Sequence, residues 1–130
     1  MKIKLCGLKR IEDIEAVNEA KPDYIGFIFV KKSRRYVSPE MAEQLKQHLN
    51  PDIEAVGVFV NEDIDKVIEQ AKKQVIDVIQ LHGEESTAYV KELKEAVDVP
   101  IIKAISMTKQ DAGQQISMWE ISEVDYLLLD

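Results

Sequence analysis

The chain has 130 residues, 45% of them hydrophobic and 6% aromatic, enough for one domain with a real core. Its net charge of -7 and pI near 4.9, with 17 basic side chains dispersed among 24 acidic ones, argue against nucleic acid or an anionic membrane as the main partner. A single cysteine excludes an internal disulfide framework, and two histidines, His48 and His82, offer no zinc-site spacing. Two lysines and no signal-type apolar stretch precede Cys6, and the longest apolar run, Tyr24–Val30, is far shorter than a membrane span, so a cytoplasmic protein is expected.

In chain order, β-branched runs predict strands at Ile3–Cys6, Tyr24–Val30, Ala55–Val60, Ile76–Leu81, Pro100–Ile105 and Val124–Leu129. Helical patterns lie between them. Ile11, Ile14 and Val17 mark the first. Over residues 38–49, Ser38 is placed to cap, Pro39 takes the first turn, and Met41, Ala42, Leu45 and Leu49 share a face. Asn61 is expected to cap the third helix, where Ile64, Val67, Ile68 and Ala71 form the stripe and the pairs Glu62/Lys66 and Glu69/Lys73 line the wet side. Ser86 is expected to cap a fourth helix carrying Tyr89, Leu93, Ala96 and Val97, and a fifth follows Thr108, interrupted by Gly113. The last strand has apolar residues on both faces, which predicts burial on both, and it ends in Asp130.

Strands alternating with helices mean repeated βα units and a parallel sheet. The echo between Ile25-Gly26-Phe27-Ile28-Phe29-Val30 and Val56-Gly57-Val58-Phe59-Val60 favours a barrel built from similar modules, with an open doubly wound sheet as the alternative. Glycine in mid-strand signals a close approach to the backbone. Six strands are too few for the usual eight-stranded barrel of roughly 200 residues or more. The expectation is therefore an α/β fold of (βα)8 TIM-barrel type, truncated after the sixth parallel strand, with residues 1–130 forming a partial barrel domain that lacks the carboxyl-terminal βα units.

Ligands bind at the carboxyl ends of parallel strands. There the sequence sets Cys6-Gly7 after strand one, Lys31-Lys32-Ser33-Arg34-Arg35-Tyr36 after strand two, Gln80-Leu81-His82-Gly83 at strand four and Asp130 at strand six. Each alone has a plain structural explanation: a buried thiol, a turn histidine, a solvated basic loop. Their conjunction at one end of different strands points to chemistry. A thiolate and a carboxylic acid on opposed strands suit proton removal by one group and delivery by the other, the work of an isomerase that needs no metal. An arginine after strand two suits a substrate carboxylate.

At these residues the chain resembles phosphoribosylanthranilate isomerase. Lys4-Leu5-Cys6-Gly7-Leu8, Asp23-Tyr24-Ile25-Gly26-Phe27-Ile28-Phe29, Ser33-Arg34-Arg35-Tyr36-Val37-Ser38-Pro39, Val56-Gly57-Val58-Phe59-Val60-Asn61, Gln80-Leu81-His82-Gly83-Glu84, Pro100-Ile101-Ile102-Lys103-Ala104-Ile105 and Leu127-Leu128-Leu129-Asp130 fall in the family's order. The resemblance implies an Amadori rearrangement of N-(5-phosphoribosyl)anthranilate in tryptophan biosynthesis without cofactor or metal. It makes Cys6 the general base and Asp130 the general acid, Arg35 the binder of the anthranilate carboxylate, and Gln80 and His82 lining of the substrate cavity. Lys103 is placed either toward the barrel interior or in a structural role. Lys9 and Lys21-Pro22 depart from the family's pattern, and the glycine-rich phosphate loop and strands seven and eight lie outside the sequence. The chain alone is thus expected to be inactive. Partners implied are a phosphorylated small molecule and either a second copy, through open sheet edges, or a fused tryptophan-pathway barrel. A non-catalytic, self-associating fragment is the alternative. A flavodoxin-like receiver is another, but Cys6-Gly7 and Asn61 stand where a receiver needs acidic residues.

Overall fold

In the computed structural model, which describes residues 1–130, the apolar runs become six strands: β1 Lys4–Cys6, β2 Tyr24–Ile28, β3 Glu54–Phe59, β4 Val78–Leu81, β5 Ile101–Ile105 and β6 Tyr126–Leu129. Helices α1 Ile11–Ala20, α2 Pro39–His48, α3 Ile64–Lys72, α4 Thr87–Ala96 and α5 Ala112–Glu120 connect them. Every neighbouring pair is parallel and the spatial order is the chain order, β1 through β6. Right-handed crossovers in a sequential sheet bring all helices to one face, the arrangement of a partial barrel. A doubly wound or receiver sheet reverses direction near its first strand, so both of those alternatives fall.

The strand alternation sorts side chains into two layers. Ile25, Phe27, Phe29, Ala55, Phe59, Ile79, Leu81, Ile101 and Ile105 turn toward the helices and merge with Ile14, Val17, Leu45, Val67, Val90, Leu93 and Trp119 into one core. Phe29 and Phe59 stack there with ring centroids 5.1 Å apart. Residues in phase with Cys6 and Gly26, including Val56, Val58, Gln80 and Ala104, line the opposite, concave face. Contrary to the expectation of burial on both faces, β6 is an edge strand whose only neighbour is β5, leaving Tyr126 62% and Leu129 52% exposed.

Local chemistry sets the helix starts. Ser38 Oγ accepts from Met41 N at 3.1 Å and Ser86 Oγ from Tyr89 N at 3.1 Å, as the cap residues predict. Helix α3 differs: Asp63, not Asn61, is its N-cap, its carboxylate accepting from Asp65 N at 3.1 Å. Asn61 is unavailable because its Oδ1 already accepts from Glu84 N at 2.8 Å, with its own backbone left-handed at φ 50°. The pairs Glu69/Lys73 and Glu62/Lys66 form at 3.1 and 4.0 Å.

At the amino end of the sheet one device recurs. The aspartate just before each even-numbered strand bonds one residue at the start of the preceding strand twice, by side chain and by backbone. Asp23 takes Ile3 N on its carboxylate at 2.7 Å and gives its own N–H to Ile3 O at 3.0 Å. Asp77 does the same to Ala55 at 2.8 and 2.7 Å, and Asp125 to Ile101 at 2.8 and 2.9 Å. Lys46 from α2 and Lys94 from α4 each bond the carboxylate that closes onto the next strand, Asp77 and Asp125 respectively. These bonds sit at the end of the sheet opposite the candidate site, where a βα barrel places stabilising rather than reactive groups.

Candidate active site at the carboxyl ends of the strands

Cys6 ends β1 in register with Gly26 of β2. A Cβ on Gly26 would stand 2.5 Å from Cys6 Sγ, so the glycine leaves the room the thiol occupies on the concave face. Cys6 is partly exposed and free. The chain then turns through Gly7 at φ +87°, a conformation open to glycine, and Gly7 N bonds Gly26 O at 3.0 Å. The aliphatic stem of Arg35 lies across Gly7, where any side chain would collide with it. Arg35 is thereby brought beside the end of β1, and its guanidinium enters none of the ion pairs within the chain. Lys9 steadies the same loop by donating to Arg34 O at 2.8 Å, which gives that departure from the family pattern a structural role.

Across the concave face runs a second group. His82 follows β4, its N–H bonded to Phe59 O at 2.9 Å, and its Nε2 lies 3.3 Å from Asp130 Oδ2. His82 Nδ1 lies 3.2 Å from Gln80 Nε2, and Gln80 Oε1 accepts from Lys4 Nζ of β1. Asp130 is held at its backbone by the end of β5 and the turn after it: its N donates to Ile105 O at 2.9 Å and its O accepts from Met107 N at 2.7 Å. Of the residues singled out in the sequence, the structure joins Gln80, His82 and Asp130 in one hydrogen-bonded chain and sets Arg35 and Cys6 around Gly7 and Gly26.

Lys103 points the other way. In register with Leu81 and Leu127, it faces the helices, where its side chain is 4% exposed. Its Nζ donates to Glu85 Oε1 at 2.9 Å and Gly83 O at 2.6 Å, beneath the Trp119 ring at 5.3 Å. Of the two placements the sequence left open, the structural one holds. Glu85, 1% exposed at its side chain, also accepts from Gly83 N at 2.9 Å and Asn61 N at 2.7 Å, so this ion pair ties the loops after β3 and β4 to strand β5. Tyr89 closes the same corner by donating to Glu62 O at 2.8 Å; burial first, then the nearby Glu85 and Glu62 charges, push its hydroxyl pKa well above the ordinary tyrosine value. A hollow of about 320 Å³ opens here, with His82, Ala104, Ser106 and Lys109 on its walls. Sequence reasoning missed Lys4 and Glu85. Lys4 carried a signal, since it is in phase with Cys6 on a strand whose inward face holds the thiol.

A sequentially ordered parallel βα sheet with thiol, guanidinium, imidazole and carboxylate at the carboxyl ends of its strands is the architecture of the β/α-barrel enzymes. The family model described as N-(5'phosphoribosyl)anthranilate (PRA) isomerase matches residues 3–130, and the chain belongs to that family. It is 43% identical over all of its 130 residues to N-(5'-phosphoribosyl)anthranilate isomerase of Clostridium acetobutylicum, covering 60% of that protein. It superposes with a TM-score of 0.87, at 31% identity, on the crystal structure of phosphoribosyl anthranilate isomerase from Thermotoga maritima, covering all of this chain and 62% of that one. A similar likeness, at 32% identity and TM-score 0.87 over all of this chain and 64% of the other, is to a crystal structure of the enzyme in complex with reduced 1-(o-carboxyphenylamino)-1-deoxyribulose 5-phosphate. The chain spans about 60% of the length of the curated relatives it matches. No helix is long and apolar enough to cross a membrane.

Proposed function

We propose that residues 1–130 carry the acid/base part of a cytoplasmic isomerase that converts N-(5-phosphoribosyl)anthranilate to 1-(2-carboxyphenylamino)-1-deoxyribulose 5-phosphate in tryptophan biosynthesis. The observation that carries this reading is the Asp130 carboxyl, seated on the His82 imidazole at 3.3 Å at the same end of the sheet as the free Cys6 thiol. Asp130 delivers a proton to the ribose ring oxygen, the C1–O bond breaks as the anilino nitrogen forms a double bond to C1, and the Cys6 thiolate removes the C2 proton. The resulting enolamine becomes the ketone when C1 gains a proton and the C2 hydroxyl loses its own. Arg35 holds the anthranilate carboxylate in a bidentate pair, and Gln80 and His82 line the cavity without a proton-transfer step of their own.

The reading is tested by following consumption of phosphoribosylanthranilate in the complete enzyme that carries these residues. Cys6→Ala and Asp130→Asn are each expected to lower kcat by about 10²- to 10⁴-fold, the range for losing a general acid or base, while Arg35→Ala acts mainly on KM. Retention of wild-type kcat by Cys6→Ala would sink it. We further propose that residues 1–130 are one partial barrel domain and do not turn over substrate alone, because the six-stranded sheet leaves the concave face open between β1 and β6. Turnover by that chain, abolished by Cys6→Ala, would contradict this.

A second reading is favoured by the apolar edges, where Ile3 is 49%, Leu5 40% and Leu129 52% exposed. Two copies, or a fused barrel of the same pathway, can cover them. A monomeric mass in light scattering after size exclusion would count against self-association.

A further inference from the structure

Lys4 takes no part in the reaction proposed above, yet it begins the hydrogen-bonded chain that ends on Asp130. We infer that Lys4 is a positioning residue that fixes the tautomer of His82 through Gln80, and so biases which oxygen of Asp130 carries the acid proton. This inference rests on the isomerase reading for its meaning but not for its test.

The logic is one of donors and acceptors. An ammonium group can only donate. With Lys4 Nζ bonded to it, the Gln80 amide must present its oxygen to β1, and its NH₂ then faces His82 Nδ1 at 3.2 Å. The reverse orientation would set NH₂ against NH₃⁺. Because an NH₂ group can only donate, Nδ1 must accept, so the neutral ring carries its proton on Nε2. That N–H points at Asp130 Oδ2, 3.3 Å away. The carbonyl oxygen of a carboxylic acid is a better acceptor than its hydroxyl, so Nε2–H on Oδ2 favours the acid form with its proton on Oδ1. The residues span three strands and 76 sequence positions between Lys4 and Gln80, and the contact lies in the partly buried concave face.

The experiment is long-range ¹H–¹⁵N NMR of the His82 ring in the chain without substrate. His48, on α2, serves as the internal reference. The wild type is expected to show a pyridine-type Nδ1 and a protonated Nε2; a protonated Nδ1 in the neutral ring would overturn the inference. Lys4→Glu reverses the polarity at β1, so Gln80 is expected to turn its NH₂ to the new carboxylate and its oxygen to His82, moving the proton from Nε2 to Nδ1. An unchanged tautomer in folded Lys4→Glu overturns it. Lys4→Met keeps the stem and introduces no buried charge, and guards against misfolding of the first variant. Its Nδ1 resonance is expected to shift from the pyridine extreme toward the average of two exchanging tautomers, and an unmoved resonance is again refutation. Since no turnover is measured, a negative result here leaves the isomerase reading to the Cys6→Ala assay, and failure of that assay leaves the tautomer result intact.

Discussion

Replacing Lys103 by Met removes the cation from a carboxylate that has no water to fall back on. The Glu85 side chain is 1% exposed and keeps two donors, Asn61 N and Gly83 N, while losing the ammonium at 2.9 Å. Gly83 O loses its 2.6 Å bond from the same nitrogen, and the Trp119 ring loses a cation 5.3 Å from its centroid. Breaking a buried pair by deleting one partner costs about 3–5 kcal/mol; the orphaned carbonyl and the lost ring contact fall within that figure and are not additional. With a urea m-value of about 1–3 kcal/mol/M, the unfolding midpoint should fall by at least about 1 M. Trp119, the sole tryptophan, stands over the site and reports unfolding by its fluorescence. Lys103→Met/Glu85→Gln, which leaves no net charge behind, should lose less than the sum of the single variants by about 1–3 kcal/mol. A single-variant loss under about 1 kcal/mol, the range of a solvent-exposed pair, would refute the view that this pair is desolvated and binds two loops to β5.

Gly26→Ala places a methyl group 2.5 Å from Cys6 Sγ, and the overpacking should cost about 1–3 kcal/mol; an unchanged thermal midpoint together with unchanged alkylation rate of the single thiol would contradict the close approach. Asp125 responds to acid: burial pulls its pKa up, but the Lys94 ammonium and the Ile101 N–H outweigh it and hold the carboxyl below the usual range. A folded-state pKa below the unfolded one means stability that is complete above the unfolded value near pH 4 and is lost as pH falls through the folded value. Asp125→Asn should therefore flatten the decline of the unfolding midpoint below about pH 4, and an equally steep decline in the variant would remove Asp125 as its source.

The alternation of strands and helices was legible because both periods are written in one-dimensional spacing. The caps Ser38 and Ser86 and the four-residue charge pairs were legible for the same reason: each is settled within a single turn of helix. Asn61 failed because its side chain is engaged by Glu84, 23 residues on, which local cap preference cannot see. Lys103 stayed undecided for a similar reason. Strand alternation puts it in phase with Leu81, but only Glu85 and Trp119, brought by other elements, make a lysine tolerable in that layer. The candidate site was half legible. Strand ends named its residues, but which of them touch was not: the link from Lys4 through Gln80 and His82 to Asp130 crosses three strands. One overlooked signal was in plain view, the aspartate that directly precedes Tyr24, Val78 and Tyr126.

Those aspartates divide the sheet differently from its hydrogen-bond ladders. The ladders are continuous from β1 to β6, whereas the paired bonds close only β1 onto β2, β3 onto β4 and β5 onto β6. A βαβ pair sealed at its own base keeps the N–H of Ile3, Ala55 or Ile101 bonded within the pair. Opening between doublets breaks ladder bonds, such as that from Glu54 N to Asp23 O, and leaves these basal bonds intact. The grain of this fold is a doublet, and hydrogen exchange at Ile3, Ala55 and Ile101 should register three doublets opening as units rather than six strands opening singly.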